Sequence, residues 1–139
     1  MRKRLLLVLS ISAIATMFVG CDSKDGIKGG VIPKYFEVEE NKDLNIEGFE
    51  TEYSKLYDIN NDGIWEQLDL VKKDGEAYIL IKHAETEELK SAIKINANSK
   101  EIEKILDEDN DGIEEIIVLK EDNKEDIYHY NPESKGYEL

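Results

Sequence analysis

The sequence predicts a mainly β protein, built from two hairpin repeats with room for a short helix between them. Two observations carry this reading. Residues 58–66 read DINNDGIWE and residues 107–115 read DEDNDGIEE, the same pattern at an offset of 107 less 58, or 49 positions. After each acidic stretch come two short runs of β-branched and aromatic residues parted by Lys, Asp, Asn and Gly, the composition of a β-hairpin.

The chain opens Met1-Arg2-Lys3-Arg4, and residues 5–19 are then apolar or small apart from Ser10, Ser12 and Thr16. That run falls short of the ~20 apolar residues that span a bilayer. A basic start, a short apolar centre and a small residue at the end describe a secretory signal. The segment closes Phe18-Val19-Gly20-Cys21, which resembles the bacterial lipobox, with Phe18 standing where a leucine is usual. The resemblance implies cleavage before Cys21 and a diacylglycerol on its thiol. It also implies a chain anchored to the cell membrane on its extracytoplasmic face. Cys21 is the only cysteine, so no internal disulfide forms.

Cleavage would leave residues 21–139, enough for one domain. The 18 basic residues, less Arg2, Lys3 and Arg4, leave 15 against 32 acidic, a net charge of −17. Such a surface repels nucleic acid and attracts cations. Residues 22–30, DSKDGIKGG, are polar and glycine-rich and read as a flexible tether. Residues 31–36 are apolar around Pro33 and read as an edge strand, where proline is tolerated. Residues 37–48 are strongly acidic and carry no clear pattern.

The repeat domain covers 49–139, with copy one at 49–97 and copy two at 98–139. Lys55 corresponds to Lys104, Leu56 to Ile105, Leu68 to Ile117, Leu70 to Leu119 and Tyr78 to Ile127. In copy one the strand runs are 68–71 and 77–81, split by KKDGE. In copy two they are 116–119 and 127–130, split by KEDNKED. The lead-in residues Tyr53, Leu56 and Tyr57, like Ile102, Ile105 and Leu106, fit a helical face as well as a strand. Residues 85–95, with Leu89, Ala92 and Ile93, also suit a short amphipathic helix.

The acidic loops carry the chemistry. Oxygen side chains alternate at Asp58, Asn60 and Asp62, and at Asp107, Asp109 and Asp111. Gly63 and Gly112 follow, and Glu66 and Glu115 stand at the ninth position. Alternate oxygen donors in a tight loop suit a hard cation such as calcium, which takes six to eight oxygens at about 2.3–2.6 Å. The glycine lets the seventh-position carbonyl, from Ile64 or Ile113, turn toward the ion. The competing reading is a plain turn, since Asn-Asp-Gly is a turn signal by itself. Two copies with equal spacing and a shared ninth-position carboxylate favour calcium.

Three families use such a loop. An EF-hand needs an acid at the twelfth position, where copy one has Asp69 but copy two has Val118; its aliphatic eighth position is Trp65 and Glu114 here. A dockerin module is similar to copy one through Asp69 and Lys72-Lys73, but its loops lie closer together and are helical. The chain best resembles the FG-GAP or VCBS-type repeats of integrin-like β-propellers, whose blades carry D-x-D-x-D-G-x-x-[DE] before a strand. Residues 107–139 look like one such blade. The resemblance implies that the lead-ins are strands. Two repeats cannot close a propeller, so it implies an open antiparallel β-meander of two propeller-blade-like hairpin repeats.

No nucleophile–base pair, phosphate loop or zinc pattern stands out. His83 and His129 do not align between the copies and read as strand or turn residues; Trp65 reads as partial core beside a hairpin. The expected function is a non-enzymatic, calcium-binding module on the cell surface, meeting a protein or glycan partner. The alternatives are a cell-envelope enzyme or enzyme accessory, which would need a polar concavity, and a dockerin- or EF-hand-like assembly module.

Overall fold

The computed structural model of the chain describes residues 33–139; the signal, Cys21 and tether of the sequence reading lie outside them. Strands β1 (Glu50–Tyr57), β2 (Glu66–Lys73), β3 (Glu76–His83) and β4 (Leu89–Ile95) form one antiparallel sheet in sequence order. Strands β5 (Ser99–Leu106), β6 (Glu115–Lys120), β7 (Glu125–Asn131) and β8 (Gly136–Glu138) form a second. The fold is therefore all-β and a meander, one four-stranded sheet for each repeat. The lead-ins are strands, and the acidic loops join β1 to β2 and β5 to β6.

Among the described residues there is no helix, so the short helix allowed for over 85–95 is not formed. Residues 84–86 turn, and Leu89–Ile95 is β4. The turn is closed by Glu87 N–H to the His83 carbonyl at 2.9 Å, and Glu87 has φ of 60°, outside the helical region. Beyond the irregularity at Lys90 the apolar side chains alternate: Ala92 faces one way while Ile93 and Ile95 enter the main core. A period of two suits a strand.

The edge strand expected at 31–36 is also absent over its described part, Pro33 to Phe36. This segment bonds to loops instead of a strand. Lys34 N–H donates to the Gly112 carbonyl at 2.8 Å, and Phe36 N–H to that of Asn60 at 3.3 Å. Asn61 donates back to the Lys34 carbonyl at 3.1 Å. Farther on, Glu39 N–H donates to Lys135 and Phe36 and Val38 are buried in the core. Residues 34–39 thus form a strap tying both acidic loops to the last hairpin.

The two sheets share one core. β1 lies against β5 and β4 against β8. Sheet one contributes Leu68, Leu70, Ile79 and Ile81; sheet two contributes Ile116, Val118 and Tyr128. By the 49-residue offset Leu68 and Leu70 match Ile117 and Leu119, so β6 buries the face opposite to that of β2. A two-fold pair would bury the same face twice. These sheets stack front to back, as units repeated by rotation about an axis do. On the far side of sheet one, Val71, Tyr78, Leu80 and Ala92 pack under Leu44 and Phe49.

The hairpin turns differ. In copy one Lys73 pairs with Glu76 around Asp74 and Gly75, at φ of 52° and 81°, the two-residue turn with both φ positive. In copy two Lys120 N–H reaches the Lys124 carbonyl at 2.8 Å around three residues, with Asn123 at φ of 62°. The offset therefore fails across the hairpin, and cross-strand neighbours must be read from each register.

Candidate metal centre

Each acidic loop is built by its own side chains. Asp58 accepts from the N–H groups of Asp62 at 3.1 Å and Gly63 at 2.9 Å. Asp62 N–H also reaches Asn60 Oδ1 at 3.3 Å, and Ile64 N–H reaches Asp62 Oδ1 at 2.7 Å. Glu66 closes the loop by accepting from Ile59 N–H at 3.1 Å. Loop two repeats these bonds one for one. Asp107 accepts from Asp111 at 3.1 Å and Gly112 at 2.9 Å, Asp109 from Asp111 at 3.0 Å, Asp111 from Ile113 at 2.7 Å, and Glu115 from Glu108 at 2.7 Å. The sixth-position glycines take φ of 83° and 92°, where a side chain would be strained. Asn61 and Asn110 take φ of 59° and 61°, which asparagine tolerates best among larger residues.

In loop two the acids converge. One carboxylate oxygen from each of Asp107, Asp109, Asp111 and Glu115 lies within 4.8 Å of the others, so this group could hold a metal ion. Asp109, Glu115 and His129 form an overlapping group. Glu115 is 2% exposed; one oxygen takes the Glu108 N–H, and the other lies 3.6 Å from His129 Nδ1. Burial raises its pKa, and Asp109 and Asp107 press in the same direction, against the Glu108 bond and His129. Four carboxylates drawn this close repel one another, and a cation among them would relieve that repulsion.

Loop one carries Asp58, Asn60, Asp62 and Glu66 at the same loop positions, but Asp58, Asp62 and Glu66 do not form a converging group of this kind, and their neighbour is different. Lys90 Nζ lies 2.6 Å from Glu66 Oε1 and 4.0 Å from Asp62 Oδ2. Glu66 is fully buried. Burial raises its pKa while the Lys90 bond and charge pull it back. The Asn60 amide donates to Asp62 Oδ2 at 3.2 Å.

The loops also touch each other. The Tyr57 hydroxyl, one residue before loop one, donates to Glu114 Oε1 of loop two at 2.6 Å. The Tyr137 hydroxyl donates to the Glu114 carbonyl at 3.0 Å. Burial raises the Glu114 pKa, against the Tyr57 bond, and Asp107 and Asp58 raise it further.

Several residues stand apart from their sequence reading. Trp65 is 59% exposed, not partial core, because Glu66 turns inward and its neighbour must turn outward. With Ile64 and His83 it lines a surface recess of about 280 Å³. Asp69, a twelfth-position acid in the helical readings, lies in β2 on the face opposite Glu66. It takes Lys82 at 2.6 Å, Ser54 at 2.5 Å and Gln67 at 2.8 Å. Strands β2 and β6 follow the loops where those readings need helices. His83 is the last residue of β3, and its Nδ1 accepts from the Glu85 and Thr86 N–H groups of the turn that follows. It nevertheless corresponds to His129: His83 pairs with Glu66, and the β6–β7 register sets His129 opposite Glu115.

Sequence reasoning missed Lys90 and His129. His129 escaped the 49-residue offset because the second hairpin is shorter overall than the first. Lys90 is the extra residue of a β-bulge, since Ile81 pairs with Ser91 and Lys82 with Leu89. A bulge re-aims the side chain it frees.

The chain matches no protein-family model, no curated protein and no solved structure. Fold and site define it as a two-sheet β protein with a repeated acidic loop, one copy of which gathers four carboxylates that could hold a metal ion.

Proposed function

We propose that this chain is an exported lipoprotein, anchored through Cys21, whose β domain is a calcium-stabilised, non-enzymatic binding module facing a protein or glycan partner outside the cell. The observation that carries the calcium reading is the convergence of Asp107, Asp109, Asp111 and Glu115. Their donors are all carboxylate oxygens, the set a hard cation takes, and the Ile113 carbonyl supplies the seventh-position oxygen. Calcium tolerates seven loosely arranged oxygens; magnesium holds its water and demands octahedral geometry. The front-to-back stacking of two four-stranded sheets supports the likeness to propeller blades. A net charge of −17 after signal removal disfavours nucleic acid as a partner and makes a bound cation stabilising.

A thermal melt in chelator, calcium, magnesium and matched sodium chloride tests the ion. Calcium should raise the melting temperature most and magnesium less, with sodium giving only screening. Equal melting temperatures in calcium and sodium chloride would reject the reading. Cys21→Ser tests the anchor: the variant should lose its lipid label and its processing, and unchanged labelling would reject acylation at that residue.

A further inference from the structure

We propose that loop one carries its own cation: the Lys90 ammonium stands where calcium binds in loop two, so the chain takes up one calcium ion and not two. This rests on the reading of loop two as a calcium site. Glu66 is fully buried, and a buried carboxylate requires a partner. Lys90 supplies one at 2.6 Å and also faces Asp62 at 4.0 Å, so it addresses two of the loop's acids at once. It comes from outside the loop, on β4, and the bulge at this residue turns it toward β2.

The charge balance agrees. Loop two offers four carboxylates and loop one three, because Asn60 replaces the acid at the third position. Lys90 cuts the net charge of loop one to −2, against −4 in loop two. A divalent ion seated among Asp58, Asp62 and Glu66 would lie within a few ångströms of the ammonium and meet like-charge repulsion. In loop two no lysine among the described residues reaches the matching oxygen of Glu115; its neighbour there is His129, at 3.6 Å. Loop one is thus a permanent internal salt of the same motif, and loop two the copy that responds to its surroundings.

The test is a count of bound calcium per chain by equilibrium dialysis of the full chain in detergent, after chelator treatment. Wild type should bind one ion, Lys90→Met two, Asp111→Ala none, and the double variant one. Two ions on wild type, or one retained by Asp111→Ala, would overturn the proposal while leaving the calcium reading intact. So would a Lys90→Met chain that melts cooperatively yet binds the same number as wild type. No ion on wild type with one on Lys90→Met would sink the loop-two reading and uphold the role of Lys90. Should Lys90→Met not fold, the wild-type and Asp111→Ala counts decide.

Discussion

Loops one and two share their internal hydrogen bonds, their positive-φ residues and their glutamate at the ninth position, and differ in what meets that glutamate. In loop one a lysine from the neighbouring strand takes Glu66 at 2.6 Å; in loop two a histidine stands 3.6 Å from Glu115 amid three other acids. The same side-chain hydrogen bonds close both turns, and the residues around them set a different charge environment for each.

The pair at Asp69 sets the scale, because it lies on β2 three residues from Glu66 yet faces away from either loop. Asp69 is 1% exposed and paired with Lys82. Asp69→Asn should cost about 3–4 kcal/mol in a urea melt at neutral pH, the range for breaking a buried pair, with or without calcium. Burial raises the Asp69 pKa, but Lys82, Ser54 and Gln67 outweigh it and hold the acid below its usual 3.8. A depressed acid stabilises the fold above its unfolded pKa and loses that contribution as pH falls through the folded one. Wild type should therefore lose stability below about pH 4, and Asp69→Asn should show a flatter acid limb.

The isosteric pair Glu66→Gln and Glu115→Gln separates the loops. In chelator Glu66→Gln strips Lys90 of its anion and should cost about 2–3 kcal/mol, discounted because the lysine is partly exposed. Glu115→Gln removes a charge crowded by Asp109 and Asp107 and should change stability by less than about 1 kcal/mol. Equal losses in a thermal melt would erase the distinction.

Calcium then acts in the opposite order. At a hundredfold excess over its Kd it should add about 2.7 kcal/mol to wild type, worth roughly 10 °C or more for a domain near 100 residues. Glu66→Gln should keep that increment and Glu115→Gln should lose most of it. A small effect is expected at the link between the loops. Tyr57→Phe removes the bond to Glu114 and should cost about 1 kcal/mol. Hydrogen exchange should also show calcium slowing the amides of loop one in wild type more than in Tyr57→Phe.

Much of this was legible in the sequence. The runs at 68–71, 77–81, 116–119 and 127–130 are strands, and both loops stand between strands, as the resemblance to propeller blades implied and the residues before the loops left open. What stayed hidden depends on contacts across the sheet. Residues 85–95 satisfy a helical face and a strand alike, and only pairing with β3 decides between them. Lys90 reaches Glu66 through a bulge that no local pattern announces, and His129 meets Glu115 because the second hairpin is shorter, spanning 129 less 115, or 14 positions, where Glu66 and His83 lie 83 less 66, or 17, apart. Residues 34–39 form a strap because their partners are loop carbonyls 20 to 100 positions away, which apolar composition around Pro33 cannot reveal.

The difference between the loops can be read at one pair of atoms. The Gly63 and Gly112 amides each donate to the first aspartate of their own loop at 2.9 Å. A calcium titration of the ¹⁵N-labelled chain, followed by two-dimensional NMR, reports on both in one spectrum. The account predicts a large shift at Gly112 that saturates at one equivalent, with Gly63 moving only slightly and along the same curve. A Gly63 shift of equal size saturating as a second equivalent binds, or no shift at Gly112, would contradict it.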